Sequence, residues 1–155
     1  MNLNERVSLY ADQKESGINV DLEALAHDVE FRRVIVEEVV NYVKKTKACV
    51  WIPAFPCNNH LSELINEIAL SLQVETLTTG NIRNLKCLRA HPEKVIIIKQ
   101  SFYTGKQLAK DINEAKEYGC DVSVLCLISH SSEHFKEFAR AHNVKMKALV
   151  FTDEL

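Results

Sequence analysis

The residues best suited to chemistry form a polar run directly after a short apolar segment. Residues 95–98 predict a buried strand, and a helix is predicted to begin just after residue 105. In α/β proteins such a strand-turn-helix presents backbone N–H groups and a helix dipole at the carboxyl edge of the sheet, where phosphates bind. The predicted anion site comprises Lys99, Ser101, Thr104, Gly105 and Lys106.

The same turn also has a purely structural explanation. Thr104 would cap the helix and Gly105 would ease a tight turn, and a helix needs its cap whether or not a ligand binds. The sequence favours this explanation, and the anion site stays open beside it.

A second candidate lies in the loop at residues 53–59. Cys57 stands near His60, but a thiol nucleophile needs a lowered pKa and an oriented base, and sequence proximity shows neither. We therefore interpret Cys57 as an ordinary loop cysteine. In the same loop, Phe55 and Pro56 are predicted to be exposed and are candidate contacts with another protein.

His130 and His134 have the i, i+4 spacing of a zinc-binding pair. The pair straddles a predicted loop-to-helix boundary, and no acidic partner completes a signature. We interpret the two rings as solvated and predict no metal site.

Basic residues form two clusters that could contact phosphates of a nucleic acid. Lys44, Lys45 and Lys47 follow a predicted helix, where the dipole favours cations in any case. The other cluster, in a predicted loop, contains Arg83, Lys86 and Arg89. With 19 basic and 21 acidic residues the net charge is −2, so no general attraction to nucleic acid or a membrane is expected. We interpret the loop cluster as a solvated surface, and RNA binding through it stays open as a weaker alternative.

Apolar periodicity predicts the elements that must position these residues. Helices are predicted at 29–45, 60–72, from 106 to 118, and 132–142, with strands at 48–52, 74–77, 95–98, 122–128 and 146–151. Strands that alternate with helices predict an α/β fold, a doubly wound and mainly parallel five-stranded sheet flanked by helices. We expect one domain over residues 1–155, with 1–16 as a loosely ordered N-terminal extension.

The chain offers no signal-peptide core and no apolar run of the roughly 20 residues that a membrane helix needs. Its five cysteines form no C-x-x-C pair, and we predict reduced thiols. The expected compartment is the cytosol or the nucleus.

The order of elements and several local phrases resemble type I phosphoribosyltransferases, and orotate phosphoribosyltransferases in particular. The matching phrases lie at residues 18–25, 51–53, 94–105, 119, 143–150 and 152–155. This resemblance implies a magnesium-dependent transferase acting on phosphoribosyl pyrophosphate, usually as a dimer.

The departures from the family pattern bear on activity. The family has two acids after the strand, which bind the ribose hydroxyls and help to hold magnesium, whereas this chain has Lys99 and Gln100. The loop at 54–59 also lacks the family's glycine, and the segment at 81–92 is short. We therefore predict a catalytically inactive domain without magnesium, a homodimer that contacts an unknown protein partner. The alternative is a divergent transferase, or a metal-independent binder of nucleotides or sugar phosphates that uses the Thr104–Gly105 turn.

Overall fold

A computed structural model describes residues 2–15, 17–53, 59–78, 82 and 94–155, with the side chains of 59–62 left out. The strands are β1 (Ala11–Lys14), β2 (Gly17–Val20), β3 (Cys49–Ile52), β4 (Thr76–Thr78), β5 (Lys94–Phe102), β6 (Asp121–Ser129) and β7 (Lys145–Phe151). The helices are α1 (Leu3–Ser8), α2 (Leu22–His27), α3 (Val29–Thr46), α4 (Asn59–Ser71), α5 (Lys106–Glu117) and α6 (Ser132–Ala141), followed by a 3-10 turn at Thr152–Glu154.

The predicted sheet is confirmed. Five parallel strands lie in the order β4-β3-β5-β6-β7, and β1 and β2 form a separate antiparallel hairpin that the sequence did not predict. In such an order, chain crossovers leave β3 and β5 on opposite faces, so a crevice opens outside the carboxyl ends of these two strands. The turn at 103–105 follows β5 at that edge.

Alternate residues of the buried strands feed two apolar layers, as expected for a sheet covered on both faces. On β5, Ile96 and Ile98 pack with α1 to α4, whereas Val95 and Ile97 pack with α5 and α6. Residues 95–98 are all buried branched side chains, so each strand face contributes closely packed apolar groups to one of the two layers.

The N-terminal residues differ from the loosely ordered extension that we predicted. Helix α1 buries Val7 completely, and its Arg6 forms an ion pair with Asp28 at 2.8 Å. Tyr10 donates a hydrogen bond to the same carboxylate. The segment is held because a buried apolar side chain and two polar contacts attach it to the start of α3.

The cysteines bear out the prediction of reduced thiols only in part. Cys120 and Cys126 are buried free thiols, whereas Cys49 is disulfide-bonded. None of the helices within the described ranges is both long and apolar enough to cross a bilayer.

Candidate functional site

The structure brings the predicted anion-site residues together around a small cavity at the carboxyl edge. The cavity measures about 190 Å³ and lies between the end of β5 and the first turn of α5. Its lining includes all five predicted residues, Lys99, Ser101, Thr104, Gly105 and Lys106. The volume suits one phosphate-sized group and is smaller than the roughly 300 Å³ at which ligand pockets usually begin.

The predicted boundary between strand and turn was wrong. Strand β5 continues to Phe102, so Lys99, Gln100 and Ser101 lie within the strand, and Lys99 and Ser101 pair in register with β6. The strand can contain this polar segment because Lys99 forms an ion pair with an acidic residue of the helix that packs on the sheet.

That acid is Asp111 of α5. The Lys99 ammonium lies 2.7 Å from Asp111 Oδ2, and the two side chains are only 12% and 6% exposed. Gln107 donates a hydrogen bond to the other carboxylate oxygen, Oδ1. The Lys99 charge is therefore offset by a buried partner, and Lys106 is the cation that the cavity presents without an ion pair among the described residues.

A buried thiol completes the surroundings of this ion pair. Cys126 of β6 is the register partner of Lys99 and is fully buried. Burial raises the pKa of the Cys126 thiol to about 12, and the nearby Lys99 charge opposes that rise. The thiol is protonated at neutral pH and cannot act as a nucleophile.

The backbone N–H groups at the start of α5 receive little capping from side chains. Gly105 occupies the N-cap position and supplies no side-chain cap, and the Lys106 N–H reaches the Thr104 hydroxyl only at 3.4 Å. The expected capping role of Thr104 is thus met by one long hydrogen bond. The first-turn residues Lys106, Gln107 and Leu108 all line the same small cavity, at a helix end where backbone N–H groups favour an anion.

Packing explains the glycine in the turn. Gly105 has a φ of 75°, and a Cβ at this position would lie 2.5 Å from the Phe138 ring and 2.8 Å from the Phe102 ring. The turn therefore needs glycine for its left-handed backbone and its aromatic neighbours, without any ligand.

The described residues of this cavity do not offer the ligands that magnesium prefers. This hard cation prefers carboxylate and other oxygen donors, but the positions of the family acids carry an ammonium and an amide. The Gln100 Oε1 atom is buried and accepts no hydrogen bond from the described residues. Asp111 is already paired with Lys99, and no cluster of three metal-ligating side chains occurs within the described ranges.

A second cavity of about 400 Å³ adjoins the first at Tyr103. It lies between the β1–β2 hairpin and the residues that follow β6 and β7, with Ile18, His130 and Asp153 in its lining. The His130 ring packs edge-on against Tyr103 at 4.9 Å, and burial lowers the pKa of this histidine.

The two histidine rings pack against different aromatic side chains. His134 packs against the Phe102 ring at 5.4 Å, while His130 contacts Tyr103. Ser131 caps α6, since its hydroxyl accepts a hydrogen bond from the His134 N–H.

The remaining candidates lie elsewhere. Lys44 and Lys45 end α3, and Lys47 follows in a left-handed conformation. Phe55, Pro56, Cys57, Arg83, Lys86 and Arg89 lie outside the described residues, as does the side chain of His60.

Sequence reasoning missed Asp111, although a signal was present. Leu108, Ile112 and Ala115 mark the apolar face of α5, and Asp111 lies on that same face. An acid on a buried helix face needs a partner, and the lysine within the preceding strand was the available one.

Comparison with known proteins gives a match at the level of structure. No protein-family model and no curated protein sequence matches the chain. Orotate phosphoribosyltransferase from Aeropyrum pernix superimposes with a TM-score of 0.64 at 17% identity, over 99% of this chain and 96% of that one. Adenine phosphoribosyltransferase from Giardia lamblia gives 0.70 at 13% identity, over 97% and 98% of the two chains.

The chain has the type I phosphoribosyltransferase fold. UMP synthase from Leishmania donovani shows the same likeness, with a TM-score of 0.69 at 17% identity, and there the chain spans 36% of the longer protein. At these identities the likeness shows the fold alone. The phosphoribosyltransferase fold predicted from the order of sequence motifs is thereby confirmed.

Proposed function

We propose that this chain is a phosphoribosyltransferase-fold domain that has lost catalysis and acts through protein contacts, as a homodimer that engages a further protein. One observation carries the proposal, the buried ion pair between Lys99 and Asp111. In an active site of this fold, the position of Lys99 would carry an acid facing the metal and the ribose. Here it carries a cation whose charge is used within the protein.

The ion pair also argues against the idea that the Lys99 ammonium replaces a metal ion in binding phosphate. A free ammonium could neutralise a phosphate directly, but Lys99 would have to leave Asp111 buried and unpaired, which is costly. The amide of Gln100 supplies no charge. Retention of the fold without this chemistry is best explained by a role for its surface.

A second candidate function rests on the uncapped start of α5. The first-turn amides and Lys106 could hold a phosphate without metal, and the adjoining cavity at Tyr103 could receive the rest of a nucleotide or sugar phosphate. Tyr103 is 67% exposed and lines both cavities, so a ligand could extend from one into the other.

Pyrophosphate release separates the first proposal from catalysis. The chain is incubated with magnesium, phosphoribosyl pyrophosphate and either orotate or adenine, beside an active orotate phosphoribosyltransferase as positive control. We expect no release above the blank and no magnesium-dependent rise in melting temperature. Turnover that the volume-matched Thr104→Val substitution abolishes would end the proposal.

Thermal shift with nucleotides and sugar phosphates, in the absence of metal, tests the second candidate. A ligand at 100 times its dissociation constant stabilises by about 2.7 kcal/mol, which raises the melting temperature measurably. The candidate predicts a shift that Lys106→Gln removes and that Lys136→Gln, an exposed lysine on α6, leaves in place. A flat panel leaves the non-catalytic proposal alone.

The proposed function also includes a cellular compartment for the protein. We place the protein in the cytosol or nucleus, and the disulfide at Cys49 is the observation against this placement, because disulfides are uncommon in reducing compartments. Acid quenching of intact cells, followed by alkylation under denaturing, non-reducing conditions, would decide it: a fully alkylated Cys49 supports a reducing compartment, and an unmodified one contradicts it.

A further inference from the structure

A larger cleft opens at the opposite end of the sheet, where the parallel strands begin. It measures about 700 Å³, within the usual range of ligand pockets. Four cations contribute to its lining, Lys45, Lys94, Arg140 and Lys145, against one acid, Asp121.

The fold brings these residues together from four elements. Lys94 begins β5 and Lys145 begins β7, on either side of the start of β6. Lys45 lies in the last turn of α3, and Arg140 lies in the last turn of α6. No two of these cations are neighbours in sequence, so the cluster exists only in the folded chain.

The cations are available for a ligand. Across the described ranges, none of the four forms an ion pair, whereas Arg6, Arg32, Arg33 and Lys99 all do. The whole chain carries a net charge of −2. A local excess of positive charge in a cleft is therefore a property of the arrangement and not of the composition.

Helix dipoles account for only half of the cluster. Cations are favoured at helix C-termini, which explains Lys45 and Arg140. Lys94 and Lys145 begin strands, which have no comparable dipole. Lys147, two residues further on the same face of β7, adds a nearby charge above the Tyr42 ring at 5.6 Å from its centre.

We propose that this cleft, defined by Lys45, Lys94, Arg140 and Lys145, binds a small anion with two or more linked phosphates, free or carried by a nucleoside. Four cations around one space match several phosphate charges better than a single one. Hydroxyl groups of Tyr42 and Ser123 in the same lining supply further hydrogen-bonding groups. The site lies at the start of β5 and the Thr104–Gly105 turn follows its end, so the two are separated by the length of the strand, about 26 Å for the eight steps from Lys94 to Phe102.

The proposal is tested by titrating the chain with tripolyphosphate, ATP and inorganic phosphate. Calorimetry and thermal shift measure the binding. We expect tripolyphosphate to bind and inorganic phosphate to bind far more weakly; equal binding of ATP would show that the nucleoside adds nothing. The variant Lys94→Gln/Lys145→Gln should weaken tripolyphosphate binding about 100-fold, at roughly tenfold for each charged hydrogen bond lost. Both lysines are exposed, so the variant should fold normally.

Two single-lysine variants serve as controls. Lys136→Gln removes an exposed charge from α6 outside the cleft and should bind as the unaltered chain does. Lys106→Gln removes the cation of the carboxyl-edge cavity and locates the ligand, because it weakens tripolyphosphate binding only if the ligand lies in that cavity. Loss of binding in Lys106→Gln, retention in the double variant, or no binding by the unaltered chain would overturn the proposal. So would binding of a short RNA by a chain that ignores tripolyphosphate.

Discussion

At the scale of single residues, the contact between Lys99 and Asp111 decides what the carboxyl-edge site can do. A buried ion pair is costly to break on one side and cheap to replace as a whole. We expect Asp111→Leu alone to destabilise the protein by about 3 kcal/mol, because it leaves the Lys99 ammonium buried without a partner. The double variant Lys99→Met/Asp111→Leu should recover most of that loss, measured by urea unfolding.

The double variant also tests whether Lys99 has a task beyond packing. If it were as unstable as Asp111→Leu, the ion pair would contribute more than mutual neutralisation. If phosphate-ligand binding at the Thr104–Gly105 turn disappeared with Lys99, the lysine would be serving the ligand as well as the acid.

Burial should make the Cys126 thiol unreactive in the folded chain. With a thiol pKa of about 12 and no solvent exposure, it should resist alkylation at neutral pH. We expect iodoacetamide to modify Cys126 only after denaturation, with peptide mass mapping as the measurement. Modification of the folded chain at a rate near that of a free thiol would contradict the buried, protonated state.

At the scale of elements, the two glycines that bound α5 offer a matched comparison. Gly105 and Gly119 both have positive φ, but a Cβ at Gly119 meets nothing within 4 Å, whereas one at Gly105 meets two aromatic rings. We expect Gly119→Ala to cost about 1 kcal/mol from backbone strain, and Gly105→Ala about 3 kcal/mol because overpacking adds to it. Chemical denaturation of both variants measures the difference, and equal costs would show that the Phe102 and Phe138 rings move aside.

Helix α1 is held to α3 by a carboxylate whose protonation should release it. Hydrogen bonds from Arg6, Tyr10 and the Phe31 N–H lower the pKa of Asp28 to about 2, against the opposing effect of burial. The unfolded chain, with an ordinary carboxyl pKa near 3.9, takes up this proton first. The stabilisation is therefore complete above about pH 4 and is lost as the pH falls toward 2.

Asp28→Asn should remove this pH dependence while keeping an oxygen to cap α3. We expect the variant to lose about 2 kcal/mol at neutral pH and to show a shallower fall in melting temperature between pH 4 and pH 2 than the unaltered chain. Asp21→Asn is the control, since Asp21 caps α2 without an ion pair within the described residues. An acid transition unchanged in Asp28→Asn would rule the contact out as its cause.

The elements also show where sequence reasoning succeeds and fails. Apolar periodicity located α3 within one residue of its observed end and gave the sheet its five strands. It failed at Lys99–Ser101, because a polar strand segment is recognisable only through its partner on a later helix. It failed at α1 because a six-residue helix has little periodicity, although Asn2 and Glu5 already formed a capping pattern, with the Glu5 N–H bonded to Asn2 Oδ1.

At the scale of the whole molecule, the sheet separates two regions of different character. At the carboxyl edge, the start of α5 lines a small cavity and Lys99 is neutralised by Asp111. At the amino edge, the four cations of the larger cleft form no ion pair with any residue that the structure describes. Our two proposals together describe a chain without metal chemistry at the carboxyl edge that takes its ligand at the amino edge. The remaining expectation at this scale is self-association, which neither end explains.

Exposed apolar side chains on one pair of packed helices point to the surface that would mediate it. Val29 on α3 and Leu70 on α4 are 81% and 88% exposed, and these two helices contact one another. If this face joins two copies, light scattering should give twice the 17.6 kDa chain mass.

Val29→Ser/Leu70→Ser should then give monomers, because burial of exposed apolar groups drives association. Leu9→Ser, a substitution at another 62% exposed site on the chain, should leave the mass unchanged. A monomeric unaltered chain would remove the dimer from the proposal, and a dimer that survives both substitutions would move its interface to another surface, with Phe55 and Pro56 next to be tested.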